Sequence, residues 1–418
     1  MAGVTTEQDD RDRSAPRGQR TRVERAFIEL ANGVTSLHPD DLAMHVERCA
    51  GLLGGTGVVL LLVDIEQRTL RPLDVGQSET HDVADPDSNP GAAYRQEASV
   101  REGPERGDGA VRLWIPLMDS AERLGVLGVV VDAADDDAEM WTAFASIVAE
   151  TLVSKTAYGD RIIRTRRTRE VTVAAEMRWA LLPPLTFTSS AVEISGVLEP
   201  AYDIAGDTFD YAVNGDILSL TVLDAMGHGL EASQIVSLAV SEYRRGRRHD
   251  RTLGELLRGI DEVVASQFGD SRFVTGQLGE LDLAVGRLTV VNAGHPAPIL
   301  FRGGCDAGDL PCRPCPPMGL GLIRTETAHV DLDEGDVVLF HTDGMTEARS
   351  PGGEQFGRAR LADVVAGGLA RNDRPAEILR KAVQAVSAHT DGPMGDDATA
   401  VFLRLGRASV PGFSSHHC

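Results

Sequence analysis

Four short acidic stretches in this chain could do chemistry. The first is Asp224-Ala225-Met226-Gly227-His228-Gly229, which follows the apolar run from Ile217 to Leu223. That run reads as a buried strand, and Leu230 to Tyr243 reads as a helix. The others are Ala205-Gly206-Asp207-Thr208-Phe209-Asp210, Val337 to Gly344 with Asp343 before its glycine, and Gly395-Asp396-Asp397 before the strand-like Ala398 to Leu403. Each puts a carboxylate where a strand meets a turn, beside glycines that allow close approach. Four such ends can converge on one rim of a sheet structure. An all-oxygen set of this kind suits hard divalent cations such as Mg²⁺ and Mn²⁺, with water filling the remaining positions. His228 and His295 are each open to two readings, as a general acid or as a group that hydrogen-bonds a turn.

The elements that position these residues have globular composition over a length sufficient for two or three domains. The formal net charge of −22 argues against nucleic acid as a partner, since a phosphate backbone demands a basic face. No run is long and apolar enough for a membrane span, and the N-terminus lacks an apolar signal region, so the expectation is a cytoplasmic protein with no membrane partner. The five cysteines do not form a disulfide framework pattern. Cys312-Arg313-Pro314-Cys315 lacks a fourth zinc ligand nearby and reads as exposed loop, whereas Cys49 reads as a core residue.

Along the chain, residues 1–22 are polar and aperiodic and are expected to be disordered. Helices are predicted from Val23 to Ser36 and from Pro39 to about Leu53, then a strand from Gly57 to Asp64. Residues 76–110 read as a long loop with little regular structure. A hairpin follows, Val111 to Leu117 with Leu124 to Val131, then a helix from Ala138 to about Thr156. This order resembles a GAF domain over residues 23–156, carried by Ile115-Pro116-Leu117 and Leu124-Gly125-Val126-Leu127-Gly128-Val129-Val130. Residues 157–185 read as a linker helix, stopped by Pro183-Pro184. Its stripe of Val173, Met177, Ala180 and Leu181 has two readings, a helix packed on its own domain or a signalling helix that pairs across a homodimer and couples the domains. Residues 186–406 are strand-rich, with helices near 230–245, 252–268 and 358–389, indicating an α+β fold; residues 407–418 read as a flexible tail.

The C-terminal stretches also match a family. Ala205-Gly206-Asp207, Asp224 to Gly229, Val291-Asn292-Ala293-Gly294-His295-Pro296, Thr342-Asp343-Gly344-Met345-Thr346-Glu347-Ala348 and Asp396-Asp397-Ala398-Thr399 occur in one order over more than 200 residues. Together they resemble the bacterial branch of the type-2C metal-dependent Ser/Thr protein phosphatases, in particular the sporulation and stress-response enzymes that act on anti-sigma-factor antagonists.

The resemblance implies an α-β-β-α sandwich of two antiparallel sheets flanked by helices, behind a GAF-like α/β sensor domain. It implies two Mn²⁺ or Mg²⁺ ions, bridged by Asp224, with Asp343 and Asp396 completing one shell and Asp207 and the Ala225 carbonyl serving the other. Asp397 is open to two readings, as a group that steadies the ligands or as a ligand itself, and Asp210 as an outer ligand or a turn residue. The implied substrate is a phosphorylated antagonist of the STAS type. The chemistry suits such a site, because a phosphoserine dianion needs charge neutralisation and an activated water, and no covalent enzyme intermediate. The chain departs from eukaryotic relatives in having no arginine just before Asp207, which leaves substrate phosphate to the metals. The reading from another class is a non-catalytic regulatory binding module.

Overall fold

The computed structural model describes residues 17–74, 79–103, 109–133, 136–202, 206–269, 271–392 and 394–406. Residues 1–16, the tail 407–418 and Ala205 of the Ala-Gly-Asp motif lie outside them. The helix α1 (Arg17–Ser36) begins within the stretch expected to be disordered and carries the chain to a 3₁₀ turn at Pro39–Asp41 and to α2 (Leu42–Leu52). Six strands follow in one antiparallel sheet, β1 (Thr56–Val63), β2 (Thr69–Pro72), β3 (His81–Asp82), β4 (Val100–Glu102), β5 (Ala110–Asp119) and β6 (Glu122–Asp132), in the order β3-β2-β1-β6-β5-β4. Alternation in β1 sends Leu60 and Leu62 into a core with α1, α2 and α4 (Ala138–Thr156), and Leu61 and Val63 toward α3 (Asn89–Gln96) on the other face.

Two expectations need correction here. The stretch 76–110 is not an unstructured loop, for among its described residues it holds β3, α3 and β4. Its polar composition conceals a capped helix, with Ser88 Oγ accepting from Gly91 N–H at 3.1 Å and Pro90 in the first turn. The linker is not one rigid helix either. α5 (Arg161–Arg166) and α6 (Val173–Leu181) are separated by an extended segment. Tertiary partners take up the backbone there: Arg166 C=O accepts from Ile65 N–H at 3.0 Å, and Tyr202 OH accepts from Thr168 N–H at 2.8 Å. Thr172 then caps α6. The nine residues of α6 amount to little more than one heptad. It buries Ala174, Ala175 and Arg178, leaving Val173 of the predicted stripe 69% exposed.

The C-terminal part is a four-layer sandwich. One sheet is β15-β12-β11-β10-β9 with β16 also on β12, and the other is β14-β13-β17-β18-β8-β7. In chain order the strands are β7 (Thr186–Thr188), β8 (Val192–Glu199), β9 (Asp207–Asn214), β10 (Ile217–Ala225), β11 (Val274–Asp282), β12 (Arg287–Ala293), β13 (Ile299–Arg302), β14 (Cys305–Asp309), β15 (Pro314–Cys315), β16 (Thr327–Asp331), β17 (Val337–His341) and β18 (Ala398–Leu405). All pairings are antiparallel except β12 with β15. Val222, Phe209, Val338 and Phe340 fill the interior between the sheets. Helices α7 (Gly229–Arg247) and α8 (Leu253–Phe268) cover the first sheet. A short α9 (Gly344–Glu347) precedes α10 (Arg358–Ala370) and α11 (Pro375–Thr390), which cover the second. Cys312 is buried rather than in an exposed loop, with Asn292 Nδ2 3.8 Å from its Sγ.

The two parts meet through charged groups. Arg123 of β6 is nearly buried, 3.8 Å from Glu377 of α11, and Arg374 lies 3.4 Å from Glu97. Glu199, at the end of β8, faces the β1–β2 turn; burial and then Glu66 push its carboxyl up to about 7, against the pull of Arg68. A carboxyl raised above its unfolded value of 4.5 weakens the fold as pH rises from about 4.5 through 7. Glu199→Gln should therefore melt with wild type at pH 4 and above it at pH 8, by up to about 3 kcal/mol. Equal melting temperatures at pH 8 would contradict this.

Candidate active site

Strand register brings the carboxylates together. Asp207 on β9 pairs opposite Asp224 on β10, and Asp224 pairs opposite Thr275 on β11. Side chains alternate along a strand, and Phe209 and Val222 point into the interior between the sheets. Asp207 and Asp224, of the same parity, therefore point to that side at the rim. Leu223 and Ala225, of the other parity, pack toward α7 and α8. The alternation that makes β10 a core strand thus aims its last polar side chain at the gap between the sheets.

The second sheet supplies the rest. Thr342, just past β17, donates from Oγ1 to Asp207 Oδ2 at 2.7 Å and accepts from Thr399 N–H at 2.9 Å. Asp343 then opens α9. Asp397 is buried, and its two oxygens face different partners. Oδ1 accepts from Arg178 Nη1 at 2.8 Å; Oδ2 accepts from the N–H groups of Gly206 at 2.6 Å and Asp207 at 3.3 Å. Asp396 beside it is exposed at the rim.

The electrostatics are those of carboxylates short of positive charge. Burial, then Asp224 and Asp397, holds Asp207 well above the usual carboxylate range. Burial, then Asp343, Asp396 and Asp397, pushes Asp224 up to about 7. Partial desolvation and the charges of Asp343 and Asp397 raise Asp396, and His228 pulls it back. Among the described residues no three His, Cys, Asp or Glu side chains close around one point as they stand. The set is open, all-oxygen and mutually repelling, which fits a hard divalent cation supplying the missing charge. Asp207, Asp224, Asp343 and Asp396 are the available carboxylates, and the Ala225 carbonyl faces Gly206 at the same strand end.

The remaining expected residues divide. His228 is exposed at the start of α7, near enough to Asp396 to affect its ionisation. His295 is buried, and burial pushes its imidazole down to about 3, so it is neutral. Its Nδ1 is 2.9 Å from Thr275 Oγ1, which lies 3.4 Å from Asp224 Oδ2. A proton on Nδ1 satisfies both contacts, so His295 supports Asp224 through Thr275. Asn292 holds the turn, accepting from His295 N–H at 2.9 Å and donating to His295 C=O at 2.9 Å. Asp210 does not join the rim. It has the opposite strand parity and accepts from Arg244 at 2.6 Å and Arg247 at 2.9 Å, both on α7. Neither Thr275 nor Arg178 belongs to a sequence motif, and only strand register and helix docking bring them to the site.

Asp343 and Asp396 open onto a cavity of about 440 Å³ that also takes in Glu347, Arg349 and Met394. A larger one of about 880 Å³, lined by His38, Arg71, Asp74 and Arg161 of the N-terminal part and linker, contains none of these carboxylates.

Comparison with known proteins covers Asp224, Asp343 and Asp396 of this site. Residues 214–406 match the family described as stage II sporulation protein E (SpoIIE). The chain is similar to Protein IcfG of Synechocystis, 26% identical over 242 residues, half of this chain and 37% of that protein. It is 21% identical over 246 residues to phosphoserine phosphatase RsbU of Bacillus subtilis, covering 56% of this chain and 70% of that one. It is 24% identical over 162 residues to phosphoserine phosphatase RsbP of the same organism, covering 37% of this chain and 40% of that one. The chain thus spans less than half the length of two of these relatives. Over residues 214–406, the larger part of the C-terminal sandwich, the chain matches the SpoIIE family, and it is similar to the phosphoserine phosphatases RsbU and RsbP.

Proposed function

We propose that this chain is a metal-dependent protein phosphatase that hydrolyses phosphoserine or phosphothreonine on a regulatory protein, an anti-sigma-factor antagonist of the STAS type. The observation that carries this reading is the meeting of Asp207 and Asp224 in register, with Asp397 near enough to raise both carboxyls and Asp343 and Asp396 near enough to raise Asp224. Asp224, Asp207, Asp343, Asp396 and the Ala225 carbonyl would hold two Mn²⁺ or Mg²⁺ ions. When bound, these would neutralise phosphate charge and activate water for attack at phosphorus. The chain's own work is positional. Thr342 and the Gly206–Asp207 backbone contacts to Asp397 hold Asp207, while Thr275 and His295 hold Asp224. His228, exposed beside Asp396, is the group available to give a proton to the departing serine oxygen. The substrate class is supported by the relatives named phosphoserine phosphatases.

The N-terminal part fits a GAF-like sensor, with a six-stranded antiparallel sheet and helices on both faces. Its charged contact with α11 offers a route by which it could control the phosphatase.

Phosphate release from a phosphorylated antagonist protein tests the reading. Activity should vanish in chelator and return with Mn²⁺ or Mg²⁺, since the donors are oxygens and give no preference for zinc. Full turnover in metal-free protein, or none with either ion, would refute it.

A further inference from the structure

Arg178 reaches the carboxylate rim from α6, outside residues 214–406 that match the family. Its side chain is fully buried, so it cannot receive a substrate phosphate. Nη1 donates to Asp397 Oδ1 at 2.8 Å and Nη2 to Pro200 C=O at 2.6 Å. The other oxygen of Asp397 takes the N–H groups of Gly206 and Asp207. The Asp397 carboxylate is therefore fixed from both sides, by a guanidinium from α6 and by the backbone that carries Asp207. Charge-assisted contacts of this kind are the directional ones. Without Arg178, Asp397 would be a buried carboxylate with no cation beside it, facing Asp207 and Asp224.

The seating of α6 is tertiary rather than intrinsic. A helix this short has little stability of its own. It is held by Ala174 and Ala175 in the interior, by Ser233 Oγ donating to Ala174 C=O at 3.1 Å, and by Trp179 Nε1 donating to Ala201 C=O at 2.8 Å. The extended segment before it connects to α5 and the N-terminal part.

The geometry points to Arg178 as a positioning residue for the metal site. With α6 seated, its guanidinium holds Asp397, Asp397 holds the Gly206–Asp207 backbone, and Asp207 is one of the carboxylates that would hold the cation. Cation affinity thus depends on whether α6 is docked. This rests on the phosphatase reading above.

The test is Mn²⁺ binding to the full-length chain by titration calorimetry, with folding followed by circular dichroism. Arg178→Ala should weaken Mn²⁺ binding at least tenfold while the far-ultraviolet spectrum stays native. Arg178→Lys, which keeps the charge, should recover part of that loss, and Val173→Ala on the exposed side of α6 should bind as wild type does. Should Arg178→Ala fail to fold, Arg178→Met combined with Asp397→Asn removes the clamp without leaving a lone buried charge, and the same tenfold weakening is expected. Mn²⁺ affinity within twofold of wild type in the folded alanine variant or the paired variant would overturn the role. Equal affinities for the alanine and lysine variants would assign the loss to packing and overturn it too. A wild type that binds no Mn²⁺ would overturn the metal-dependent phosphatase reading along with it. Loss of binding in Asp224→Asn with no loss in the Arg178 variants would overturn only the role of Arg178.

Discussion

Asp224→Asn should leave a folded protein whose turnover on a phosphoserine substrate has fallen at least about a thousandfold, or roughly 4 kcal/mol of barrier. The strand register explains why the loss should be chemical. Position 224 is paired on one side with Asp207 and on the other with Thr275, so an asparagine would be held in the same place. What it lacks is the charge needed to hold two cations. The stability of the chelated protein should move the other way. The Asp224 carboxylate is half-buried near Asp343, Asp396 and Asp397, and a neutral amide escapes their repulsion. The variant should melt in chelator no lower than wild type. Turnover within threefold of wild type would remove Asp224 from the centre of the site; a large fall in melting temperature would make the lost turnover a folding effect.

Gly344→Ala should be as damaging by a steric route. At this position a methyl group would lie 1.9 Å from the Asp397 carbonyl oxygen and 2.7 Å from its carbon. Both are backbone atoms, so no side-chain rotation relieves the overlap. Either α9 or the start of β18 must shift, and these carry Asp343 and Asp397. We expect a loss of about 3 kcal/mol or more, lowering the melting temperature by roughly 6–12 °C, and turnover falling with it. Gly395→Ala is the control, since a methyl there meets nothing within 4 Å. Its melting temperature should match wild type. A Gly344→Ala protein as stable as the control would show that the chain crossing is looser than described.

Much of this protein is legible in one dimension because its signals are local. An apolar run ending in Asp-Gly announces a strand and its exit, and the hairpin of β5 and β6 and the helix α4 follow from periodicity. Signals masked by composition were lost. The stretch around Ser88 and Pro90 has the polar, proline-containing makeup of a loop, yet its cap and first-turn proline also start a helix. The linker misled for the opposite reason. Its helix-forming residues predicted continuity, but hydrogen bonds from Ile65 and to Tyr202 draw the middle of it into an extended path.

Within the candidate site, residue type and spacing were enough to nominate Asp207, Asp224, Asp343 and Asp396, because each sits at the end of a recognisable element. Which neighbours those carboxylates acquire was decided only in three dimensions. Asp210 stands three residues from Asp207 in sequence, but strand parity turns it toward Arg244 and Arg247. Thr275 meets Asp224 only because β10 and β11 pair in one register, and Arg178 meets Asp397 across 219 residues of chain because α6 docks there. Parity, register and docking are properties of packed elements. A local pattern can place a carboxylate at a strand end, but the partners that hold it come from the fold that closes around it.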